Sequence, residues 1–352
     1  MTFGELLWDE KVLWSGEADR EREVLSLSCD SRTVMPGSVF FCIPGAKHDG
    51  HDYAAEAFFR GCRCFVAERM PSIPEGGSVL LCEDVREKMA ILAARYYGDP
   101  TANMTVIGVT GTKGKTTVSY MIRDLFEGLG IAAAYIGSLG AFFDGKKFDT
   151  ENTTPDCLEL LWYLRQIREA GIRVVVLELS SQALATGRAY GIPISHAVFT
   201  NISRDHIGTD EHGTMAQYRS AKLSLFTAYS PRVAILNSED RFSRVIAANT
   251  VAERVVLYGR GRGAEYRGER IRYNRSGNRF YTSFVLRHRG ICRGARLALA
   301  GVHYVDNFLA AVATVSEVTG CDPLQLLPFA ERIRVPGRCE VLPVSGSGVF
   351  VV

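Results

Sequence analysis

Residues 109–117, Val-Thr-Gly-Thr-Lys-Gly-Lys-Thr-Thr, constrain the fold of this 352-residue chain more than any other segment. They follow an extended apolar stretch at 104–108 and precede residues 118–129, whose apolar side chains recur at helical spacing. Glycine lets a backbone close around phosphate oxygens, and a helix N-terminus adds unpaired N–H groups and a partial positive charge. The pattern therefore predicts a strand, a phosphate-binding loop and a helix.

The loop carries a cation and a hydroxyl beside its glycines. Lys115 is placed to reach the β- and γ-phosphates of a nucleotide, and Thr116 to bind a Mg²⁺ ion that bridges them. In the strict motif the first glycine stands at position 109, which is valine here, while glycines occupy 108 and 111. A glycine turn that enters an ordinary helix is the alternative interpretation of this variant.

Composition limits the class of protein. A chain of this length with 47% apolar residues predicts two domains, and Gly98-Asp99-Pro100 marks a boundary between residues 1–100 and 101–340. A net charge of +2 indicates neither a nucleic-acid nor a membrane partner. The nine cysteines lack metal-site spacing, which favours free thiols in a reducing compartment. The N-terminus does not resemble a signal peptide, and no apolar run approaches the ~20 residues of a membrane span, so we expect a soluble cytoplasmic protein.

Hydrophobic patterning predicts an α/β fold. Short apolar runs between residues 25 and 84 indicate a small N-terminal α/β domain. Further on, Val-rich runs at 173–179, 196–200 and 231–237 alternate with helical segments, which is typical of a doubly wound, mostly parallel sheet. Residues 259–296 alternate Tyr, Phe, Val and Arg, which predicts a small antiparallel sheet. Its arginines fit a solvated strand face better than a nucleic-acid site, because no aromatic platform accompanies them.

Three residues outside the loop are candidates for its chemistry. Glu178 interrupts an apolar strand just before it ends, where an unpaired carboxylate would be costly, so we expect a cation beside it. His206 lies in the polar loop after the next strand, where it could bind a second metal. Lys222 lies on an amphipathic helix, and by its residue pattern alone it is a surface charge.

Together these residues resemble the Mur ligases, and the resemblance runs from about Asp30 to the end of the chain. Asp30-Ser31-Arg32 and the segment 36–53 look like the family's uridine diphosphate site, and Asn152-Thr153-Thr154 like its muramoyl-peptide loop. Residues 178–181, with Arg188 beyond them, resemble its Glu-x-Ser-Ser segment and substrate arginine.

The resemblance implies a role for each matching position. The implied catalytic residues are Lys115, Lys222, Glu178 and His206. The implied ATP site comprises Gly111, Thr112, Lys113, Gly114, Lys115, Thr116, Thr117, Asn307 and Arg338. The implied site for the UDP-sugar peptide comprises Ser31, Asn152, Thr153, Thr154, Ser180 and Arg188. The implied metal ligands are Thr116, Glu178, His206 and Lys222, the last as a carbamate formed with CO₂.

The implied activity is that of an ATP-dependent ligase in peptidoglycan biosynthesis. It would add L-lysine or meso-diaminopimelate to UDP-N-acetylmuramoyl-L-Ala-D-Glu through an acyl phosphate, with ATP and Mg²⁺, as a cytoplasmic monomer without nucleic-acid or membrane partners. The sequence departs from the family at Lys113, Gly208 and Tyr304.

Residues 341–352 look like the truncated start of the family's C-terminal domain, so the chain alone is expected to be inactive or incomplete. Two alternatives stay open: a non-catalytic module that binds UDP-sugar and ATP, and a related amide ligase of the folylpolyglutamate synthase type.

Overall fold

A computed structural model describes residues 1–8, 20–45, 48–204, 208, 212–276, 279–338, 342–343 and 350–351. The chain divides into two compact units. The first comprises Met1–Ala102, Asp156–Gln166 and Gly187–Gly191, and the second comprises Asn103–Pro155, Ile167–Thr186 and Ile192–Val352.

The first unit contains a four-stranded parallel sheet in which the strands follow one another in chain order. Its strands are β1 Ser26–Ser28, β2 Ser38–Phe41, β3 Cys64–Ala67 and β4 Ser78–Leu81, and its helices include α1 Phe3–Leu6, α2 Ala54–Phe59 and α3 Val85–Tyr96. Strands β2 and β3 are buried along their whole length, as apolar runs without alternation predict. Phe40 and Phe65 pack edge to face between them, with ring centroids 6.2 Å apart.

The second unit is built on one sheet of eleven strands. The strands are β5 Thr105–Thr110, β6 Ala133–Gly137, β7 Gly140–Phe143, β8 Lys146–Phe148, β9 Val174–Glu178, β10 Ile194–Phe199, β11 Val233–Asn237, β12 Arg254–Gly259, β13 Tyr266–Ser276, β14 Arg279–His288 and β15 Ile291–Leu297. Their order is β15-β14-β13-β12-β11-β10-β5-β9-β6-β7-β8, and the pairs from β13 to β6 are parallel. This is the doubly wound arrangement that the Val-rich runs predict.

The antiparallel strands predicted between residues 259 and 296 are present, but they do not form a separate sheet. β13 pairs in parallel with β12 through Tyr258 and Gly259, and β14 and β15 then extend the same sheet. Alternation along a strand reports which face is buried, and it does not report which strand lies next to it, so the sequence pattern could not distinguish the two arrangements.

The remaining helices connect the strands of the large sheet or cover its faces. They are α4 Lys115–Gly128, α5 Cys157–Glu169, α6 Ser181–Ala185, α7 Met215–Thr227, α8 Phe242–Asn249 and α9 Val302–Thr319, and a short pair of strands, β16 Leu342–Pro343 and β17 Phe350–Val351, lies near the end of the chain. Helix α9 is buried along most of its length and packs against α4. In the part of the chain that the structure describes, no helix is both long and apolar enough to span a bilayer.

Because β5, β9, β10 and β11 are parallel, their carboxyl ends lie at one edge of the sheet. Ligands of open parallel sheets bind outside this edge. The loop after β5, the last residue of β9 and the residues after β10 therefore lie where the chemistry is expected.

Candidate active site

The loop between β5 and α4 requires two of its glycines. Gly114 has a φ of 88°, and a Cβ on it would lie 2.9 Å from Asn307 Oδ1. Gly111 has a φ of 153°, and a Cβ there would overlap the hydroxyl of Thr200. Helix α4 begins immediately after this turn, and the first N–H groups of a helix have no acceptor within it. The loop is thus a concave backbone surface suited to an anion.

Residues that follow β10 hold the loop in place. Asn201 accepts hydrogen bonds from the amides of Thr112 (2.8 Å, to its carbonyl) and Lys113 (3.0 Å, to Oδ1). The Lys113 carbonyl in turn accepts from Asn201 Nδ2 at 2.8 Å and from the Thr200 hydroxyl at 2.7 Å. No role was assigned to Asn201 from the sequence, although its place directly after a parallel strand was a signal for one.

Two lysine side chains meet at one carbonyl of the loop. Lys115 Nζ donates to Gly111 O at 2.9 Å and to Thr112 O at 3.2 Å. Lys222 Nζ donates to Gly111 O at 3.0 Å. Lys222 is only 1% exposed, so the surface position suggested by its residue pattern is wrong. Its face of α7 is buried, because Ala221 and Leu225 on that helix are core residues.

Helix α7 also supports the loop through a tyrosine. Tyr218 lies one helical turn before Lys222, and Lys222 Nζ is 4.5 Å from the centroid of its ring. The Tyr218 and Thr112 hydroxyls are 2.9 Å apart, within hydrogen-bond distance. An aromatic residue four positions before the lysine was the available sequence signal for this contact.

Glu178, the last residue of β9, is completely buried and collects four donors. Oε1 accepts from the Tyr135 hydroxyl and from the Ser138 amide at 3.1 Å. Oε2 accepts from the Thr116 hydroxyl at 3.1 Å and from the Ser138 hydroxyl at 3.3 Å. Burial raises the pKa of Glu178, and the hydrogen bonds and the Lys115 charge act in the opposite direction. Tyr135 and Ser138 carried no role in the sequence-based prediction.

The predicted peptide loop joins the same strand end. The Thr154 hydroxyl donates to the Glu178 carbonyl at 2.8 Å and accepts from the Ser180 amide at 3.1 Å. The Thr153 and Ser138 hydroxyls are 3.0 Å apart. Asn152 is exposed. Thr154 and Ser180 are thus connected to the main-chain carbonyl of Glu178, and Thr153 is connected to its carboxylate through the Ser138 hydroxyl.

Among the described residues, the remaining members of the predicted site do not join the hydrogen bonds around Glu178. Asn307 is buried against Gly114, whereas Arg338 is exposed and donates to the Gly337 carbonyl at 3.1 Å. Arg188 belongs to the first compact unit. His206 lies outside the described residues, so its predicted metal-binding role stays a prediction.

Asp306, the residue before Asn307, is one of two carboxylates that contact Arg260. Arg260 Nε is 3.1 Å from Asp306 Oδ1, and Arg260 Nη2 is 3.3 Å from Glu239 Oε2. Burial raises the pKa of Asp306 to about 6, although the Arg260 charge opposes the shift.

The first unit contains a cavity of about 540 Å³ around Ser31. The Ser31 hydroxyl donates to Glu56 Oε2 at 2.8 Å. The cavity is lined by Cys29, Asp30, Ser31, Arg32, Phe40, Ile43, His48, Gly50, Tyr53 and Glu56. The lining combines polar and charged groups with Phe40, Ile43 and Tyr53, and a concave site of this kind can bind a polar small molecule.

The described residues offer one oxygen pair suited to Mg²⁺. They contain no group of three or more His, Cys, Asp or Glu that could hold a metal alone. Mg²⁺, however, commonly uses one or two protein carboxylates together with water and substrate phosphates. The Thr116 hydroxyl and the Glu178 carboxylate fit an ion of this kind. Lys222, as an amine, does not supply an oxygen ligand.

Comparison with known proteins places these features in a family. The chain matches the Mur ligase middle domain over residues 109–315 and the Mur ligase family catalytic domain over residues 23–97. It is 35% identical over 343 residues to the UDP-N-acetylmuramoyl-L-alanyl-D-glutamate–2,6-diaminopimelate ligase of Halalkalibacterium halodurans, covering 96% of this chain and 67% of the relative. The ligase of the same name from Geobacillus kaustophilus is 39% identical over 337 residues, covering 94% and 67%.

A solved structure of a UDP-N-acetylmuramoyl-L-alanyl-D-glutamate–2,6-diaminopimelate ligase superimposes with a TM-score of 0.83 at 27% identity. The alignment covers 98% of this chain and 69% of that structure, so the chain spans about two thirds of the length of its relatives. The phosphate-binding loop, the buried carboxylate and these matches agree, and the chain belongs to the Mur ligase family.

Proposed function

We propose that this Mur ligase joins an amino acid to UDP-N-acetylmuramoyl-L-Ala-D-Glu with ATP as the energy source, in peptidoglycan synthesis. The observation that carries the proposal is the hydrogen bond between Thr116 and Glu178, which joins the nucleotide loop to a buried carboxylate at the end of the neighbouring strand. The names of the relatives favour 2,6-diaminopimelate over L-lysine as the amino acid.

The proposed reaction has two steps. A free carboxylate of the UDP-sugar dipeptide attacks the γ-phosphate of ATP, which gives an acyl phosphate and ADP. The amine of the amino acid then displaces phosphate and forms the amide. Carboxylate and triphosphate repel each other, so cationic groups must stabilise the charge in transfer.

The second unit would supply that stabilisation. Lys115 now donates to two loop carbonyls, and it would exchange them for the β- and γ-phosphates when ATP binds. Gly111, Thr112, Lys113, Gly114 and Thr117 would surround the phosphates, with Asn307 at the adenine and Arg338 at the phosphates. Bound Mg²⁺, held by Thr116 and Glu178, would neutralise phosphate charge.

Lys222 would act as a carbamate. Its amine is buried at the loop within hydrogen-bond distance of the Gly111 carbonyl, and CO₂ would react with the neutral form of the amine and release a proton. The product would be a carboxylate-like group that could serve a second Mg²⁺ together with His206. This assignment rests on the family resemblance and on the position of Lys222.

The peptide-bearing substrate would bind through the residues that the family resemblance assigns to it. In the domain of residues 1–100, the cavity around Ser31 would take the uridine diphosphate. Asn152, Thr153, Thr154, Ser180 and Arg188 would contact the muramoyl peptide. Binding energy from the remote uridine would help to position the reacting carboxylate. We expect a cytoplasmic monomer that acts on these small molecules.

Separate binding measurements test the two sites. Calorimetry with a non-hydrolysable ATP analogue and with UDP-N-acetylmuramoyl-L-Ala-D-Glu should detect both ligands. Lys115→Ala should abolish nucleotide binding and spare the UDP-sugar, while Ser31→Ala should weaken only the UDP-sugar. Absence of UDP-sugar binding would contradict the proposal and favour a related amide ligase. Binding of a folate would then identify a ligase of the folylpolyglutamate synthase type.

Phosphate release tests the reaction itself. ATP and the UDP-sugar dipeptide are supplied with 2,6-diaminopimelate or with L-lysine, and release should require the dipeptide and one amino acid. If both ligands bind and no phosphate is released, this chain acts as a non-catalytic binding module.

A further inference from the structure

Strands β13 to β15 carry an unusual concentration of positive charge. Residues 266–297 contain nine arginines and one glutamate, without lysine or aspartate, so their formal charge is +8. The whole chain has a formal charge of only +2, so the other residues together are negative. This asymmetry indicates a surface suited to an acidic partner.

The strand register places several of these arginines on one face. Arg272 lies opposite Ser283, and Ser283 lies opposite Arg296, so the two arginines share a face across three strands. The other face of β14 is the buried one, where Phe284 and Leu286 belong to the core. Arg272 and Arg296 are exposed.

The local carboxylates do not neutralise this charge. Glu269 forms ion pairs with Arg267 and Arg287. The hydrogen bond from Arg287 is the main cause that lowers the pKa of Glu269, and burial acts in the opposite direction. Within the described ranges, Arg272, Arg293 and Arg296 form no ion pair. Three exposed guanidinium groups thus remain available for carboxylates of another molecule.

β15 is the last strand of the sheet, and its outer edge pairs with no other strand among the described residues. The segment Pro323–Glu331 packs against β15, and the Ala298 amide, just past the end of the strand, donates to the Ala330 carbonyl at 3.3 Å, so the open part of the edge is the part before Ala298. Its residues from Ile291 to Gly294 are exposed. The N–H and C=O groups of an edge strand are a template for another polypeptide backbone. Nucleic acid has no peptide N–H and C=O groups with which to continue the sheet. The open backbone edge therefore favours an acidic polypeptide over a nucleic acid as the partner.

The charges on β15 select among polypeptide partners. Arg293 and Arg296 are three residues apart, so they lie on opposite faces of the strand, and a strand added beside β15 would meet one arginine on each face. Like charges on neighbouring strands are destabilising and opposite charges are stabilising. A second copy of β15 contains no acidic residue and would neutralise neither arginine, whereas an acidic strand would neutralise both.

We propose that the outer edge of β15 binds an extended acidic segment of a partner protein as an additional strand, with acidic residues three positions apart beside Arg293 and Arg296. This function is independent of the ligase activity proposed above, because it uses neither the phosphate-binding loop nor the cavity of the first unit.

Fluorescence anisotropy with labelled peptides at physiological salt tests the proposal. The probe is a Thr/Val peptide with Glu at positions i and i+3. A peptide of the same composition with Glu at i and i+2, which places both acids on one face, should bind more weakly. An i, i+3 peptide with N-methylated backbone nitrogens keeps its charge and should lose binding. Equal binding of all three peptides, or no binding of the first, would overturn the proposal.

Charge-reversal variants provide the second arm. The double variant Arg293→Glu/Arg296→Glu should weaken the acidic peptide by about tenfold or more and should bind the corresponding Lys peptide. The control is Arg241→Glu/Arg244→Glu, two exposed residues at the start of α8 with the same change in net charge, which should leave affinity within about twofold. Circular dichroism checks that each variant folds. If a variant fails to fold, the comparison of the three peptides on the wild-type chain still tests the proposal. Tighter binding of single-stranded DNA of equal charge, or an equal loss in the control, would contradict strand addition.

Discussion

Thr116 and Glu178 are joined by a hydrogen bond of 3.1 Å from the threonine hydroxyl to Oε2, although 62 positions separate them in the sequence. Thr116 lies in the first turn of α4, and Glu178 ends β9, the strand beside β5. The contact connects the nucleotide loop to a buried carboxylate that accepts hydrogen bonds from four donors.

Glu178→Gln should lower the rate of phosphoryl transfer by about 10²- to 10³-fold, because the amide keeps the shape of the site and lacks the negative charge for Mg²⁺. Phosphate release measured with the UDP-sugar dipeptide checks this. Glu127→Gln on α4, a half-exposed glutamate paired with Arg123, is the control and should retain full activity. Equal rates in the two variants would exclude a catalytic or metal-binding role for Glu178.

Glu178→Gln should also change how the free energy of unfolding depends on pH. Burial raises the pKa of Glu178 in the folded protein, so the folded state holds this proton at pH values where the unfolded chain releases it. Wild-type stability should therefore fall as pH rises from the ordinary carboxyl range toward the raised pKa. Glu178→Gln should lack this contribution. Urea unfolding without Mg²⁺ at a series of pH values measures the free energy of unfolding of both proteins. If that free energy changes with pH equally in wild type and Glu178→Gln, burial does not raise the pKa of Glu178.

Gly114→Ala should abolish nucleotide binding and destabilise the fold by more than Gly130→Ala does. Both glycines have positive φ, 88° and 76°, so alanine at either site costs about 1 to 2 kcal/mol in backbone strain. At Gly130 nothing lies within 4 Å of the new Cβ, whereas at Gly114 it would lie 2.9 Å from Asn307 Oδ1. Urea unfolding and calorimetry with an ATP analogue compare the variants. Equal losses would show that strain alone, and not the contact with Asn307, requires glycine at 114.

Asp306→Asn should flatten the pH dependence of stability between about pH 4 and pH 6. The folded pKa of about 6 lies above the ordinary value of 3.8, so ionisation of Asp306 destabilises the fold as pH rises through this window. Above pH 6 the variant should be more stable than wild type by about 1 kcal/mol or more, because the raised pKa of Asp306 already includes the opposing Arg260 charge. Asp144→Asn, in the exposed turn between β7 and β8, is the control. A less stable Asp306 variant at pH 7 would show that the Arg260 pair outweighs burial.

Lys222 should give a carbamate carbon signal in ¹³C NMR after equilibration with ¹³C-bicarbonate and Mg²⁺. The buried amine, if it is carbamylated as proposed, would need a cation beside its new negative charge, which Mg²⁺ would supply. Lys222→Met should lose the signal together with ligase activity, and Lys113→Met, at an exposed position of the loop, should keep the signal. A signal that persists in Lys222→Met would assign the carbamate to another lysine.

The secondary structure of the second unit follows closely from local patterning. Val174–Glu178 and Val233–Asn237 are strands within the apolar runs at 173–179 and 231–237. The helix Met215–Thr227 overlaps the helical segment that the sequence predicts at 216–229 and begins one residue before it. A buried parallel strand needs a continuous apolar run, so its position can be predicted from a few neighbouring residues. Glu178 stands out for the same reason, as a charge where the run requires an apolar side chain.

Contacts between distant segments could not be predicted in this way. The hydroxyl of Tyr135 donates to Glu178 from 43 positions away, and Asn201 meets Lys113 across 88 positions. The local pattern around Tyr135 does not distinguish it from other tyrosines, and the place of Asn201 after a strand does not tell which distant residue it contacts. Their roles depend on β6 and β10 flanking β9 and β5 in the sheet.

Local sequence is sufficient to predict the phosphate-binding loop, the α/β class and the candidate carboxylate, because glycine conformation and hydrophobic period are properties of neighbouring residues. Tertiary packing places Lys222 at Gly111, Tyr135 and Ser138 at Glu178, and β13 to β15 at the edge of the large sheet. These depend on which elements pack together, and packing is set by the free energy of the whole fold, beyond any single segment.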